Sequence, residues 1–471
     1  MPQETAAEKI DRLERALEIL RQENERFRQE NERLRRELDK ALRAAKRQAA
    51  PFSRGVPKAN PQKPGRKRGS CYGRKGHRAV PRKVDETLEA KLPPACPDCG
   101  GSLTETEVVD QYQTEIPKPR LHHIRFCVHV GCCQQCGRRV QGRHPRQTSD
   151  AVGSAASQLG PHAVALATHL NKGLGLPYGK TAEVLREGWG LEVTRGGLCQ
   201  AIARLGRKAE PTYQAMVERI RGSPMVTPDE TGWKVGGRLW WLWAFATPEL
   251  TVYAIQPGRG FEQATAVLGE DFAGHLVRDG WIVYLQFLQA LHQTCLTHLL
   301  RRCREMIEAA TPARARFPEL VKHVLATALG LRDRRDAGQI GPQGLAVARG
   351  RLEARLDRAL ERSYRSAANE RFAKHLYRER NYIFTFLYYP DLDATNWRGE
   401  QAIRPAVVAR KVWGGNRTPR GAHTQEILIS VLQTCRQQGR PILSLLTELL
   451  CSPKPKQLNL APAASARSVP R

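Results

Sequence analysis

Residues 9–45 carry apolar side chains in two interleaved series of period seven, and few patterns restrict a chain more tightly. Ile10, Leu17, Asn24, Asn31 and Leu38 form one series; Leu13, Leu20, Phe27, Leu34 and Ala41 form the other. Steps of three and four put both on a single stripe of one α-helix, which a lone helix cannot cover. Asparagine at two a positions costs stability but fixes register and favours two parallel strands. Glu23 and Glu30 at g can meet Arg28 and Arg35 at e of a second copy. The pattern predicts a coiled-coil homodimer over residues 1–45, against the alternative of a single solvated charged helix.

The other 426 or so residues are too many for one core and suggest several domains. A net charge of +29 and a pI near 10.1 call for an anionic partner, with nucleic acid the usual one. A membrane surface competes, but no apolar run approaches 18 residues and the N-terminus lacks the basic and hydrophobic parts of an export signal. A soluble cytoplasmic protein without membrane contact is expected. Twelve cysteines in such a chain point to metal or buried thiols rather than disulfides. Residues 46–90 read as a disordered basic linker: Lys46 to Lys83 holds thirteen Lys and Arg, five prolines and no acid. Arg66, Lys67 and Arg68 at its densest point suit phosphates or a minor groove, or a plain solvated linker. Residues 451–471 read as a loose tail.

Cys96-Pro-Asp-Cys99-Gly and Cys133-Gln-Gln-Cys136-Gly are two C-x-x-C turns, each relieved by a following glycine. Two such turns supply the four thiolates of a tetrahedral Zn²⁺ site. Between them Val108–Ile116 and Leu121–Val130 alternate about Pro117-Lys-Pro119 as a hairpin would, giving a zinc-bound β domain over 91–145. The long gap, the adjacent Cys132, and His122, His123 and His129 leave the ligand set open. Residues 146–222 are helical. Tyr178–Arg186, a Gly-rich turn and Thr194–Arg204 suit a helix-turn-helix presenting Arg195 to DNA, or an ordinary helical hairpin.

Three carboxylates stand further along. Asp229 ends a short β-like run and is followed by strand-like Arg238–Thr247 and Thr251–Gln256; Asp279 closes the apolar run from His275, before a helical pattern near Tyr284. Glu400 stands in a helix opening at Asn396 and ended by Pro405. These are hard oxygen ligands suited to Mg²⁺ or Mn²⁺. Residues 223–300 and 396–450 form one core, interrupted at 301–395 by helices with a Leu352, Leu356, Leu360 stripe. Arg404, Arg410, Lys411 and Arg417 suggest a phosphate-contacting face, although Arg404 could instead pair with Glu400 at i,i+4.

In order, Asp229-Glu-Thr-Gly-Trp, Trp241-Leu-Trp-Ala, Asp279-Gly-Trp, His292-Gln-Thr-Cys-Leu-Thr-His298, Glu400-Gln-Ala-Ile-Arg-Pro and Gly414-Gly-Asn-Arg-Thr418 resemble the insertion-sequence-66 transposases, from about Lys91 to about Ala422. Trp397 and Gly399 depart from that pattern, standing where Asn and Ala are expected. The resemblance implies a multidomain α/β protein with a ribonuclease-H-like mixed α/β catalytic core, an α-helical insertion and an Asp-Asp-Glu triad at Asp229, Asp279 and Glu400. It implies a bacterial, nucleoid-associated transposase acting on double-stranded DNA, with accessory proteins of the element as further partners. Asp229 would bridge two Mg²⁺ ions and Asp279 and Glu400 would each complete one, for cleavage at element ends and joining to target. Cys295 and His298 also resemble a C-x-x-H pair of related cores, but two ligands do not make a zinc site, and a packed thiol beside a hydrogen-bonded His is the stronger account. Other classes are a non-catalytic DNA-binding regulator and a ribonuclease-H-like nuclease without strand transfer, such as a junction resolvase.

Overall fold

The computed structural model describes residues 6–45, 78–117, 119–155 and 157–460, with the side chains of residues 6–13, 39–45 and 154 outside the description. Most of the basic linker, Arg66, Lys67 and Arg68 included, and the tail from 461 onward lie outside the described residues. Helix α1 (Ala6–Ala45) is continuous. Leu17, Leu20, Phe27, Leu34 and Leu38 are all exposed, so among the described residues the stripe from Leu17 to Leu38 is left uncovered.

Strands β1 (Val130–Cys132) and β2 (Arg139–Gln141) pair antiparallel, with Gly131 opposite Val140. The hairpin therefore wraps the second C-x-x-C. The expected strands Val108–Ile116 and Leu121–Val130 do not form, apart from Val130 itself. Most of their apolar residues are left open, Val108 82% and Ile116 84% exposed, and a two-stranded ribbon without a covering layer is marginal.

Helices α2 (Pro161–Thr168), α3 (Tyr178–Trp189) and α4 (Arg195–Arg221) come next, with Gly190 left-handed (φ 69°) at the end of α3. Thr194 caps α4, its Oγ1 accepting from the Gly197 amide at 3.0 Å. The second helix does not stop near Arg204 as expected. It continues through Pro211 because Leu205, Ala209, Met216 and Ile220 bury one face. That face shares a core with the sheet, so no break separates residues 146–222 from the strands that begin just after residue 223.

The sheet is built from β3 (Met225–Val235), β4 (Arg238–Ala246), β5 (Thr251–Gln256), β6 (His275–Arg278) and β7 (Leu291–Thr294), with α5 (Phe261–Leu268) between β5 and β6. Its order is β5-β4-β3-β6-β7; the first three strands are antiparallel, and β3, β6 and β7 are parallel. Alternation along β4 explains its two-sided burial. Leu242, Ala244 and Ala246 face one cluster, Trp243 and Phe245 the opposite one with α4 and α5. The helix expected near Tyr284 is only a 3₁₀ turn, Ile282–Gln286. The chain then spends Leu291–Thr294 on β7, which satisfies the outer backbone of β6.

Helices α6 (Leu296–Ala309), α7 (Pro312–Asp336), α8 (Pro342–Leu360), α9 (Ala367–Glu379) and α10 (Thr385–Tyr388) supply the helical interruption, with a core of its own in which Leu352 and Leu356 meet Phe317, Val321 and Phe372. It is tied to the sheet by Val277 of β6, which joins this cluster, and by polar contacts. The Arg278 guanidinium meets Glu379 at 2.7 Å, both fully buried, and Thr294 donates to the same carboxylate at 2.8 Å. Along β7, Gln293 bonds the Ile383 carbonyl and the Phe386 amide, and Thr385 donates to the His292 carbonyl.

Three helices close the chain: α11 (Trp397–Trp413), α12 (Pro419–Gln437) and α13 (Ile442–Cys451). Helix α11 runs through Pro405 rather than ending there, because Ala402, Ile403, Ala406 and Ala409 keep one face buried on both sides of the proline. Helix α12 lies along β5 in an unusual way. Glu426, Ser430 and Thr434, four residues apart, accept the outward amides of Ile255, Tyr253 and Thr251, two residues apart, at 2.7, 2.8 and 3.1 Å. Four helical residues rise about 6 Å and two strand residues about 6.8 Å, so the series stay in step. The expected loose tail is ordered at first: Leu458 and Leu460 are buried in the main core.

Candidate active site

Residues 229 and 279 stand at equivalent points of neighbouring parallel strands. Met225 pairs with His275 and Val226 with Leu276, so Asp229 and Asp279 both lie four residues beyond the first pair. The third acid arrives on the first turn of α11, which comes in close: a Cβ built on Gly399 would stand 3.1 Å from that of Asp229. Asn396, fully buried, ties the approach down by donating from Nδ2 to the Pro228 carbonyl at 3.1 Å. Gly399 is therefore required by a close approach, not by backbone conformation.

The Asp229 carboxyl is pushed up to about 7. Burial is the main cause and the neighbouring Glu230 charge the next; Asp279 and Glu400 add to it, against one stabilising bond from the Glu230 amide at 2.9 Å. Asp279 Oδ1 accepts the Trp281 amide at 2.8 Å, closing a turn at Gly280 (φ 91°). His375 of α9 packs over that glycine, so the insertion bears on the turn that carries the second acid. Glu400 faces His298 Nε2 at 3.6 Å and Arg301 at 3.9 Å, both from α6, rather than Arg404.

Cys295 is the packed thiol expected, accepting the Asn396 amide at 3.1 Å, whereas His298 turns toward the third acid. Sequence reasoning also passed over Glu230, Tyr284 and Arg259. Glu230 is buried; burial raises its carboxyl, and it accepts from Tyr284 at 2.6 Å and Arg259 at 2.7 Å. Arg259 lies over Trp281 at 4.0 Å and Trp241 at 4.8 Å. Glu230 could have been noticed beside Asp229; nothing around Arg259 in the sequence marks it.

The Gly414-Gly-Asn-Arg-Thr418 segment is a clasp on β3. Asn416 accepts from Trp233 Nε1 at 2.8 Å, and its backbone exchanges bonds with Lys234 and Gly236. Gly415 (φ 137°) sits where a Cβ would strike the Lys234 carbonyl. Arg410, expected at phosphates, turns inward to Thr231 and the Gly232 carbonyl. Arg195, Arg404, Lys411 and Arg417 are exposed.

The two C-x-x-C turns are near copies. Gly100 and Gly137 are left-handed (φ 72° and 66°), and each donates its amide to the first cysteine's carbonyl at 2.9 Å. Backbone N–H groups of Cys99 and Asp98 lower the Cys96 thiol, as those of Cys136 and Gln135 lower Cys133. The described cysteines are all free. Among the described residues no three or more His, Cys, Asp or Glu side chains close into a metal cage, at the two turns or at the acids. The acids nonetheless fit a hard cation in character: a carboxyl raised by burial and then by like charges is what bound positive charge would relieve. Among the described residues no helix is long and apolar enough to cross a membrane.

Residues 156–424, more than half of the chain, match the family described as "Transposase IS66 family". The chain is also 24% identical over 309 residues to the uncharacterized protein y4qI of Sinorhizobium fredii, covering 59% of this chain and 56% of that one. It thus spans little more than half the length of the curated relative it matches.

Proposed function

The chain belongs to the IS66 transposase family, and from that premise we propose that it is a DNA transposase that cuts the ends of its element and joins them to target DNA. What supports this reading is the convergence of three elements that carry acids: Asp229 on β3, Asp279 at the matched point just past β6, and the first turn of α11, whose Gly399 packs against Asp229 beside Glu400. The strand order, three antiparallel and two parallel with α11 over β3 and β4, supports a ribonuclease-H-like core. Asp229, Asp279 and Glu400 would hold Mg²⁺ or Mn²⁺, and a pair of such ions supplies charge stabilisation to the attacking and leaving oxygens of a phosphoryl displacement.

The chain's own residues do the rest. Buried Asn396 and the Asn416 clasp hold α11 against β3, which fixes Glu400 relative to Asp229. Arg301 places positive charge beside Glu400, the His298 ring faces the same carboxylate, and the Trp281 amide orients Asp279. Arg404, Lys411 and Arg417 offer cations to DNA phosphates. Cys96, Cys99, Cys133 and Cys136 would hold Zn²⁺, whose binding would fold a segment with little core. The uncovered stripe of α1 supports a homodimer. Such a protein works in the bacterial cytoplasm at the nucleoid.

The test is Mg²⁺-dependent cleavage and strand transfer on DNA carrying the flanking ends, with wild type beside Asp279→Asn and Glu400→Gln. Activity in wild type alone is expected, with end binding kept in both variants. Inactivity of all three with end binding intact would replace this reading with a non-catalytic DNA-binding protein.

A further inference from the structure

Of the eight tryptophans, Trp189 and Trp397 are the two that stand exposed. Trp397 opens α11, three residues before Glu400, is 37% exposed, and joins none of the hydrophobic clusters. It is nevertheless held. The Arg398 guanidinium lies 4.4 Å over its ring, and Arg398 is itself fixed by donating to Asp393 at 2.9 Å. An indole that is both open to solvent and braced is pre-organised for something that brings a flat apolar face.

Its setting says what. Positions 397, 400, 404 and 411 succeed one another at helical spacing, so Trp397, Glu400, Arg404 and Lys411 share the outer stripe of α11. At 1.5 Å per residue the indole lies about 10 Å from Arg404 along the axis, and Arg404 another ~10 Å from Lys411. Arg410 is not part of the stripe, being turned in to β3. An aromatic face followed by spaced cations is the combination that binds a single nucleic-acid strand, bases on the ring and phosphates on the charges. In a closed duplex the base faces are already stacked, so the ring can be used only where the strand is opened.

We infer that Trp397 is a stacking platform for one unpaired nucleobase beside the phosphate being cut, with Arg404 and Lys411 carrying the strand away along α11. The inference rests on the transposase reading and adds to it a site for an opened DNA end.

The test uses the full-length protein on duplex ends with thymine placed in turn at each position flanking the cut, probed by permanganate, which oxidises unstacked thymine. Wild type is compared with Trp397→Ala and Trp397→Phe. The expected result is one position of altered reactivity in wild type, kept by the Phe variant and lost in the Ala variant. Affinity of the Ala variant for a pre-mismatched end should fall roughly tenfold. Unchanged reactivity in the Ala variant, or a Phe variant that behaves like it, overturns the platform. Wild type that binds and cuts the ends without any opened position removes this site alone. Wild type that neither binds nor cuts them removes the transposase reading together with the site.

Discussion

Replacing Glu379 by glutamine should destabilise the protein by about 3–5 kcal/mol, the range seen when one partner of a buried ion pair is removed. The side chains of Arg278 and Glu379 are both fully buried and 2.7 Å apart. Arg278 Nη2 already lacks a hydrogen-bond partner, so without the carboxylate its charge would have only His292 and the Tyr382 ring close by. Burial pushes the Glu379 carboxyl up, but Arg278 and the Thr294 hydroxyl outweigh it and leave it below its ordinary value. A lowered folded-state value means that this stability is present above the unfolded carboxylate range and is lost as pH falls through the folded value. The assay is urea denaturation followed by tryptophan fluorescence, with hydrogen exchange reporting α9. The double variant Arg278→Met with Glu379→Leu, which leaves no charge behind, should recover most of the loss. A single variant within about 1 kcal/mol of wild type, or a double variant no better than the single, would refute the reasoning.

Three other contacts carry outcomes of their own. Asn416→Ala orphans the buried Trp233 Nε1 and loosens the clasp on β3, so a loss of about 1–3 kcal/mol is expected in denaturant melts, with reduced cleavage. Gly399→Val should crowd Asn396 and Asp229 and abolish cleavage while the circular dichroism spectrum keeps its wild-type shape. His423 bridges Glu426 at 2.6 Å and Glu210 at 2.9 Å and is raised to about 9, first by the Glu426 hydrogen bond. Its contribution is complete below the unfolded histidine value and is lost as pH rises through about 9. Melting temperature should decline across that window in wild type and change less in His423→Gln.

Much of the fold was legible in the sequence because it is local. The alternation of Leu242 to Ala246, the C-x-x-C-Gly turns and the Leu352, Leu356 stripe each carry their geometry in a few adjacent residues. The features that escaped depend on contacts between distant segments. Pro405 and Pro211 are local helix breakers, overridden by the buried faces of α11 and α4. Val108–Ile116 alternates like a strand but finds no layer to pack on. The Arg259 and Glu230 contact and the turn of His298 toward Glu400 join residues 29 and about 100 positions apart, with no shared pattern. Arg410 reads as a surface cation until β3 is seen beneath it.

The two rims of the five-stranded sheet are sealed by material that is synthesised late. The rim at β5 is closed by Glu426, Ser430 and Thr434, and the rim at β7 is covered by residues 383–386, where Thr385 takes the His292 carbonyl and Gln293 holds the segment. On the ribosome, a nascent chain that has completed β7 would present two open strand edges for about ninety residues and the β5 edge for about fifty more, a template for pairing with a neighbouring copy. Translation pausing or premature termination anywhere between about 300 and 430 should therefore yield aggregation rather than a soluble partial core, which makes completion of the chain the step that protects the sheet.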